Sequence, residues 1–312
     1  MGLLEPSKRI RWGQRQGWWA GALALAALLG SEVLARDIFV DNLGGDDRNT
    51  GRALQSEGKG TGPVRTINKA LRLCMPGDSI ILTPHELEPY RESITLTGHY
   101  HSGTTQSPVR IIGNGAVLEG LAPVENAPWE PVGKDLYAVT PRLVNPQTVF
   151  FGAKQAPKPL SRQEIAAGKS PAAGQWYLQG GQLFLKCDKD SAPDFMRPQI
   201  ANFTVGITLV DVHDVEISDL KVRGFQIDGI NAHDNVTRTN LTRVTVEGCG
   251  RSGISVGGCS RVLIDSCDCQ GNLQAQLRTE GFCEVQLYDN KFGDDASTAI
   301  VKQGGKVTDG EK

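Results

Sequence analysis

Five side chains with acid, base or ligand chemistry occur at related positions in the second half of the sequence. They are Asn231, His233, Asp234, Arg278 and Glu280. An imidazole exchanges protons near neutral pH, a guanidinium pairs with carboxylates, and carboxylate or amide oxygens bind hydroxyls and hard cations. We therefore take His233 and Arg278 as candidate catalytic residues. Asn231, Asp234 and Glu280 become candidate substrate-binding residues, and the metal ligands, if any, stay unknown.

These side chains are related because the surrounding segment repeats itself at a fixed period. Similar tetrapeptides open a new segment about every 23 residues, a period typical of solenoids. They are Gly206-Ile207-Thr208-Leu209, Gly229-Ile230-Asn231-Ala232, Gly253-Ile254-Ser255-Val256 and Gln276-Leu277-Arg278-Thr279. Stacking these segments would place His233, Asp234, Arg278 and Glu280 on one side of the solenoid.

Aligned segments give mostly apolar columns. The columns are Val215, Thr239, Val262 and Val285; Ile217, Leu241, Ile264 and Leu287; and Val222, Val246, Cys269 and Phe292. Polar residues such as Glu216 and Asp265 alternate with them, and a period of two indicates strands with one buried face. Such coils leave their backbone edges unpaired unless others stack on them at roughly 4.8 Å. The sequence predicts an all-β parallel β-helix with three short strands per coil.

Two stretches resemble the right-handed β-helix proteins of the pectate-lyase-like superfamily. The first is the repeat from Gly253-Ile254-Ser255-Val256 to Val262-Leu263-Ile264-Asp265. The second, Thr66-Ile67 to Ser79-Ile80, is similar to the N-terminal cap of secreted β-helix polysaccharide lyases. Within it, apolar residues at helical spacing predict a short helix over 67–74, capped by Thr66, that covers the first coil.

The rest of the chain divides by pattern. Residues 1–35 read as a signal peptide, 36–120 as the cap and first coils, 121–198 as a β-rich insertion and 199–312 as repeats. Inside the insertion, Gly180-Gly181 predicts a hairpin turn. After Val301 the repeat pattern dissolves, so we expect no C-terminal cap. The insertion's aromatic residues could stack on sugar rings, or could simply pack together.

Composition limits the partners. A formal net charge of −2 over 312 residues argues against nucleic acid as a partner. The apolar run near the N-terminus is too short for a stable membrane span after signal cleavage, so we expect a secreted, periplasmic or cell-surface protein. Seven cysteines in an oxidising compartment leave at least one unpaired. Cys259 and Cys283 are candidates for a disulfide, whereas Cys267 and Cys269 are expected to point into the core.

The resemblance implies a function for the outward face. Proteins of this family mostly act on acidic polysaccharides, where a base removes the proton beside a uronate carboxylate that cations neutralise. The expected activity is therefore lyase-type cleavage, with Ca²⁺ as a possible cofactor because the loop 41–51 is rich in oxygen ligands. A non-catalytic glycan-binding or surface scaffold, or a fragment of a longer enzyme, is the alternative. Charges at outward strand positions also keep a solenoid soluble. That interpretation applies both to the set His233, Asp234, Arg278 and Glu280 and to a second set on another strand face, Lys221, Arg223, Glu247, Asp268 and Lys291.

Overall fold

The computed structural model describes residues 35–56, 58, 60–124, 128–294 and 298–310. The predicted signal peptide lies outside the described residues, except for Ala35. The strands are β1 (Asp37–Val40), β2 (Ser79–Leu82), β3 (Ile94–Thr97), β4 (Val109–Ile112), β5 (Val117–Glu119), β6 (Leu121–Pro123), β7 (Glu130–Gly133), β8 (Leu136–Val139), β9 (Val149–Phe151), β10 (Lys154–Gln155), β11 (Trp176–Gln179), β12 (Gln182–Lys186), β13 (Pro198–Ala201), β14 (Val205–Val210), β15 (His213–Ser218), β16 (Lys221–Arg223), β17 (Asp228–His233), β18 (Thr237–Thr242), β19 (Thr245–Glu247), β20 (Ser252–Val256), β21 (Arg261–Asp265), β22 (Asp268–Gln270), β23 (Ala275–Tyr288), β24 (Lys291–Phe292) and β25 (Thr298–Asp309). The helices are α1 (Ile67–Leu73), α2 (Gly98–His101), α3 (Arg162–Ala166) and α4 (Pro193–Met196).

The chain winds through three parallel sheets. Sheet 1 contains β3, β14, β17, β20 and the first parts of β23 and β25. Sheet 2 contains β1, β2, β4, β15, β18, β21 and the second parts of β23 and β25. Sheet 3 contains β5, β16, β19, β22 and β24. Each coil visits sheets 1, 2 and 3 in turn, which confirms the predicted parallel β-helix.

The predicted columns are confirmed by the strand register. Ile217 pairs with Leu241, Leu241 with Ile264 and Ile264 with Leu287. The four side chains are buried in one continuous apolar core. Burying an aliphatic side chain of this size contributes about 2 kcal/mol. Because this burial occurs only when coils stack, each coil depends on its neighbours for its stability.

Each corner of a coil is made by a residue with left-handed backbone. Between sheets 1 and 2 these residues are Asp211, Asp234, Gly258 and Gly281, with φ between 54° and 71°. Glycine carries no Cβ penalty in this region, and Asp tolerates it better than most residues. Because β23 continues as one strand through its corner at Gly281, where its pairing with β25 shifts register between Gly281 and Glu284, sheets 1 and 2 are continuous there.

Helix α1 covers the first coil as the sequence predicts. The Thr66 hydroxyl accepts a hydrogen bond from the Lys69 N–H, and Ile67, Ala70 and Leu71 are buried against the core of the β-helix. The helix ends at Leu73. An amphipathic helix at this place shields apolar surface that stacking would otherwise leave open.

The part of the chain between β5 of sheet 3 and β14 of sheet 1, which we call the antiparallel segment, forms two small antiparallel sheets. One contains β6, β13, β9 and β10, and the other β7, β8, β12 and β11. The predicted hairpin across Gly180-Gly181 is confirmed by the pairing of β11 with β12. Residues 199–201 pair antiparallel with β6, and the first coil after this segment therefore begins with β14 rather than at residue 199. Trp176 and Tyr177 are buried in this segment, which accounts for them by packing.

Two expectations were wrong. The repeat does not end at Val301, because strand β25 continues to Asp309 and pairs with β23 in both sheet 1 and sheet 2. Cys259 and Cys283 form no disulfide, since both are free thiols and only Cys259 is exposed. Cys267 and Cys269 point into the core as predicted. Within the described part of the chain, no helix is long and apolar enough to cross a membrane.

Candidate functional site

The candidate site lies on the outer face of sheet 1. The antiparallel segment packs at the corner where the sheet 1 strands begin, whereas His233 and Glu280 lie toward the ends of these strands, near the corner with sheet 2. The backbone of Gln147 lies so close to Gly250 that a Cβ there would come within 3.2 Å of it. Gln155 donates a hydrogen bond of 2.8 Å to the Gly271 carbonyl, and the Phe150 ring packs against Gly248. The β9–β10 region therefore borders the corner that leads into β20 and β23.

Arg278 is fixed on this face by neutral oxygen atoms. Its Nε donates to Ser252 Oγ at 3.0 Å, Nη1 to Gln303 Oε1 at 3.0 Å, and Nη2 to Gln274 Oε1 at 3.3 Å. Its side chain is only 9% exposed, and the nearest carboxylate oxygen in an ion pair with it is Glu280 Oε1 at 3.9 Å. The guanidinium is thus held rigidly while its charge is only weakly compensated by direct contact.

Asp228 and Arg251 lie next to Arg278 and were missed by the sequence analysis. Asp228 is fully buried and accepts hydrogen bonds from Arg251 Nε, at 3.0 Å, and Nη2. Burial raises the pKa of the Asp228 carboxyl, although the hydrogen bond and charge of Arg251 and the charge of Arg278 act in the opposite direction. Asp228 therefore holds Arg251 in place and contributes negative charge beneath the two guanidiniums.

A sequence signal for this pair did exist. Asp228 directly precedes the Gly229-Ile230 opening, and Arg251 stands before Ser252-Gly253-Ile254 one coil later. Opposite charges one coil apart at the start of a strand indicate a stacked ion pair. The prediction considered only positions after the opening glycine.

His233 and Glu280 share a column on this face but do not touch. Ala232, Val256 and Thr279 are in register in successive coils. The residues that follow them, His233, Gly257 and Glu280, therefore form one column with Gly257 in the middle. Two coil spacings separate the Cα atoms of His233 and Glu280 by roughly 10 Å. Since Gly257 has no side chain, this separation leaves an open notch between a partly exposed imidazole and a partly exposed carboxylate.

The remaining predicted residues occupy the edge and the middle of the face. Asp234 is a corner residue with φ 69°, and its Oδ2 lies 3.1 Å from His233 Nδ1. Aspartate fits this position because it tolerates the left-handed backbone of the corner. Its carboxylate also orients the His233 imidazole. Asn231 is partly exposed and is in register with Ser255, which is in register with Arg278. Arg278 and Glu280 therefore meet, His233 and Asp234 meet, and no described contact joins the two pairs.

No metal site is evident in the described ranges, where no group of three or more His, Cys, Asp or Glu residues could hold an ion. In the loop 41–51, Asp41 accepts hydrogen bonds from the Leu43 and Gly44 N–H groups. Asp47 accepts hydrogen bonds from the Arg65 and Thr66 N–H groups. These carboxylates therefore serve the turn and the start of α1.

Sheet 3 carries the second set of charges found in the sequence. Lys221 Nζ lies 2.7 Å from Glu247 Oε1, and Arg223 Nε donates to Glu119 Oε2 at 2.7 Å. Each pair joins neighbouring coils. On this sheet a carboxylate directly compensates each of these two cations.

Comparison with known proteins agrees with the geometry. The family model described as right handed beta helix region matches residues 187–310. Within this range the strands from β14 to β25 form the predicted right-handed β-helix, so the fold expected from the sequence is confirmed. No curated protein sequence matches this chain.

Solved structures with a similar fold are distant in sequence. A glycoside hydrolase aligns with a TM-score of 0.51 and 10% identity, covering 82% of this chain and 74% of that one. A complex of XylC with xylose aligns with a TM-score of 0.45 and 12% identity, covering 88% of this chain and 70% of that one. Pectate lyase Pel9A aligns with a TM-score of 0.33 and 10% identity, covering 89% and 78% respectively. At such identities the similarity concerns the fold.

Proposed function

We propose that this protein is an exported enzyme that cleaves an acidic, uronate-containing polysaccharide by a lyase-type reaction on the outer face of sheet 1. The observation that carries the proposal is the environment of Arg278. A guanidinium held by three neutral oxygens presents a fixed positive charge at the floor of the face. Such a preorganised cation is suited to a uronate carboxylate, whose negative charge grows when the neighbouring proton is removed.

The other side chains take complementary roles. His233 is the base that removes the proton beside the carboxylate, because an imidazole accepts protons near neutral pH whereas a guanidinium stays charged. Arg278 therefore stabilises charge instead of accepting a proton. Asp234 orients His233 through the 3.1 Å contact, and Glu280 and Asn231 bind sugar hydroxyls. The notch above Gly257 receives the sugar ring between His233 and Glu280.

The fold supports the choice of substrate class. The glycoside hydrolase with a TM-score of 0.51 shares the architecture, so this solenoid can present a sugar-cleaving face. Fold similarity does not decide between elimination and hydrolysis. Hydrolysis requires two carboxyl groups at the scissile bond. On the described face Asp228 is buried behind Arg251, and we assign the two exposed carboxylates to other roles, Asp234 to orienting His233 and Glu280 to binding a sugar hydroxyl.

The test is a direct assay of the protein without its signal segment on pectate, alginate, chondroitin and neutral xylan. We expect new ultraviolet absorbance from an unsaturated product with at least one uronate polymer and none with xylan. New reducing ends without that absorbance would replace elimination by hydrolysis. Absence of both signals on every polymer, with and without added Ca²⁺, would disprove the enzymatic proposal.

A non-catalytic glycan-binding role is the second candidate. It is favoured by the lack of any described contact between the His233–Asp234 pair and the Arg278–Glu280 pair. Binding of a uronate polymer that depends on Arg278 but proceeds without turnover would establish this role.

A further inference from the structure

The antiparallel segment contains a pocket that lies apart from the face of sheet 1. Its volume is about 370 Å³, near the lower end of the range for small-molecule sites. Its wall at 144–145 comes from the loop before β9, and its other walls come from the loop before α3 and from the hairpin of β11 and β12. The pocket therefore does not belong to the notch above Gly257.

The floor of this pocket is apolar and its mouth is polar. Val144, Pro159, Leu160 and Leu178 supply aliphatic surface. Leu160 is buried, and its N–H donates a 3.0 Å hydrogen bond to the Trp176 carbonyl, which fixes the floor to β11. An aliphatic floor offers apolar contact to the C–H groups of a sugar ring.

The mouth of the pocket carries two amides and one charge. Asn145 and Gln179 can donate to or accept from hydroxyl groups, and Arg162 is the sole charged residue that lines the pocket. All three are exposed. Arg162 makes no hydrogen bond or ion pair with any described residue, so its charge is available to an anion. A ligand with hydroxyls, an apolar ring face and one negative group matches this lining.

The pocket is connected to the candidate site through a rigid segment. Gln147 Nε2 donates to the Leu143 carbonyl at 2.7 Å, and Gln147 Oε1 accepts from the Ala201 N–H at 2.7 Å. The same residue packs against Gly250, which directly precedes Arg251. The loop that forms one wall of the pocket is thus fixed to the corner that leads into β20.

We propose that this pocket is an accessory site that binds a carboxylate- or sulfate-bearing sugar unit, with Arg162 on the anion and Asn145 and Gln179 on hydroxyls. This inference goes beyond the proposed cleavage, because binding here needs neither His233 nor Arg278. Loss of an arginine contact to a carboxylate removes a charge-assisted hydrogen bond, so binding should weaken about tenfold or more.

The experiment measures calorimetric binding of trigalacturonate in protein that carries Arg278→Gln, so that sheet 1 contributes little. We expect Arg162→Gln to weaken binding about tenfold and Arg162→Lys to restore part of it. Arg72→Gln, which removes an equally exposed arginine from α1, should leave affinity unchanged. Fully methyl-esterified trigalacturonate should bind weakly to all variants, and a sulfated neutral trisaccharide tests sulfate as the anion.

A second measurement uses the wild-type chain in case Arg278→Gln does not fold. Trigalacturonate should slow hydrogen exchange at residues 179–182, and Arg162→Gln should abolish this protection. Equal affinity of the Arg162→Gln protein, or equal binding of the methyl ester, would overturn the inference. If Arg162 controls binding while no polymer is cleaved, only the proposed enzymatic function fails. If cleavage depends on Arg278 while Arg162→Gln binds normally, only the accessory site fails.

Discussion

The outer faces of sheets 1 and 3 both carry stacked charges, but the charges are compensated differently. On sheet 3, Lys221 and Arg223 each lie against a carboxylate of a neighbouring coil. On sheet 1, Arg278 is bound by neutral oxygens of Ser252, Gln274 and Gln303. Stacked opposite charges stabilise a solenoid without requiring any ligand. On sheet 1 the Arg278 guanidinium donates its hydrogen bonds to neutral oxygens, and its nearest ion-pair carboxylate is 3.9 Å away, so an anionic substrate meets a cation whose hydrogen bonds do not neutralise it.

The antiparallel segment packs at the corner that sheets 3 and 1 share. That segment leaves the stack after β5 of sheet 3 and returns at β14 of sheet 1, so it borders the corner between these sheets. A Cβ at Gly248 would come within 2.3 Å of the Phe150 ring, and one at Gly271 within 2.3 Å of Gln155 Oε1. At Gly250 the close atom is the Gln226 carbonyl oxygen of the β-helix itself, and Gln147 is 3.2 Å away. The corner where the sheet 1 strands begin is therefore closely packed.

The largest expected effect of a substitution is on His233. If sheet 1 is the catalytic face, His233→Ala should lower kcat on a cleaved uronate polymer by about 10²–10⁴-fold, because a general base contributes this much. The measurement is the initial rate of unsaturated-product formation across pH. His85→Ala is the matched control, since His85 also contacts an aspartate, Asp41 at 2.8 Å, far from this face. Equal losses in both variants would remove the distinction between the faces.

Arg278→Gln should lower kcat/KM by about 10²–10³-fold, the usual cost of removing one preorganised electrostatic contact. The glutamine keeps hydrogen-bonding capacity toward Ser252 and Gln274, so the melting temperature reports whether the fold is intact. Arg243→Gln is the control because Arg243 forms a two-point ion pair with Asp219 at a different corner. Wild-type activity in the Arg278→Gln protein would show that the Arg278 guanidinium has no role in turnover.

Asp228→Ala should lower the free energy of unfolding by about 3 kcal/mol, because it leaves the Arg251 charge without its buried partner. We expect the lower end of the range for a broken buried pair because the Arg251 side chain is 30% exposed and water can solvate it in part. Urea unfolding measures this change. Asp219→Asn breaks a pair whose side chains are 34% and 58% exposed while keeping a residue type that tolerates the left-handed corner at φ 55°, and should cost less than about 1 kcal/mol. Similar losses of unfolding free energy in the Asp228 and Asp219 variants would show that burial does not make the sheet 1 ion pair more important than an exposed one.

The smallest effect is expected on sheet 3. Lys221→Gln should change stability by less than about 1 kcal/mol and leave activity unchanged, because the ion pair with Glu247 is partly solvated and screened by salt. The stability difference between the two proteins should shrink further at high ionic strength. A clear loss of activity in this variant would assign function to sheet 3 and contradict the comparison.

Several parts of the structure could be predicted because they depend on local or strictly periodic features. The column of Ile217 and Leu241 follows from identical spacing in successive coils, and α1 follows from Thr66 and helical periodicity. The hairpin at Gly180-Gly181 follows from turn chemistry alone. Each of these requires information from one segment or from one repeat.

The errors share one cause, which is that the relevant partners are distant in sequence. β25 continues to Asp309 because β23 offers it a complete strand edge, whatever its own polar composition suggests. Cys259 and Cys283 follow similar corners but differ in burial, since Cys283 points inward and Cys259 outward. Asp228 and Arg251 were missed because a charge before the opening glycine looks solvent-exposed until the whole corner is assembled.

The sequence by itself determined that this chain stacks as a parallel β-helix, since a repeat of apolar columns can bury its surface in no other simple way. It also placed His233 and Glu280 in one column and Arg278 in the next. Only the tertiary structure decided which charges are compensated. That choice depends on which side chains of the same and neighbouring coils reach one another, as Arg278 reaches Ser252, Gln274 and Gln303, and the apolar repeat does not fix these contacts.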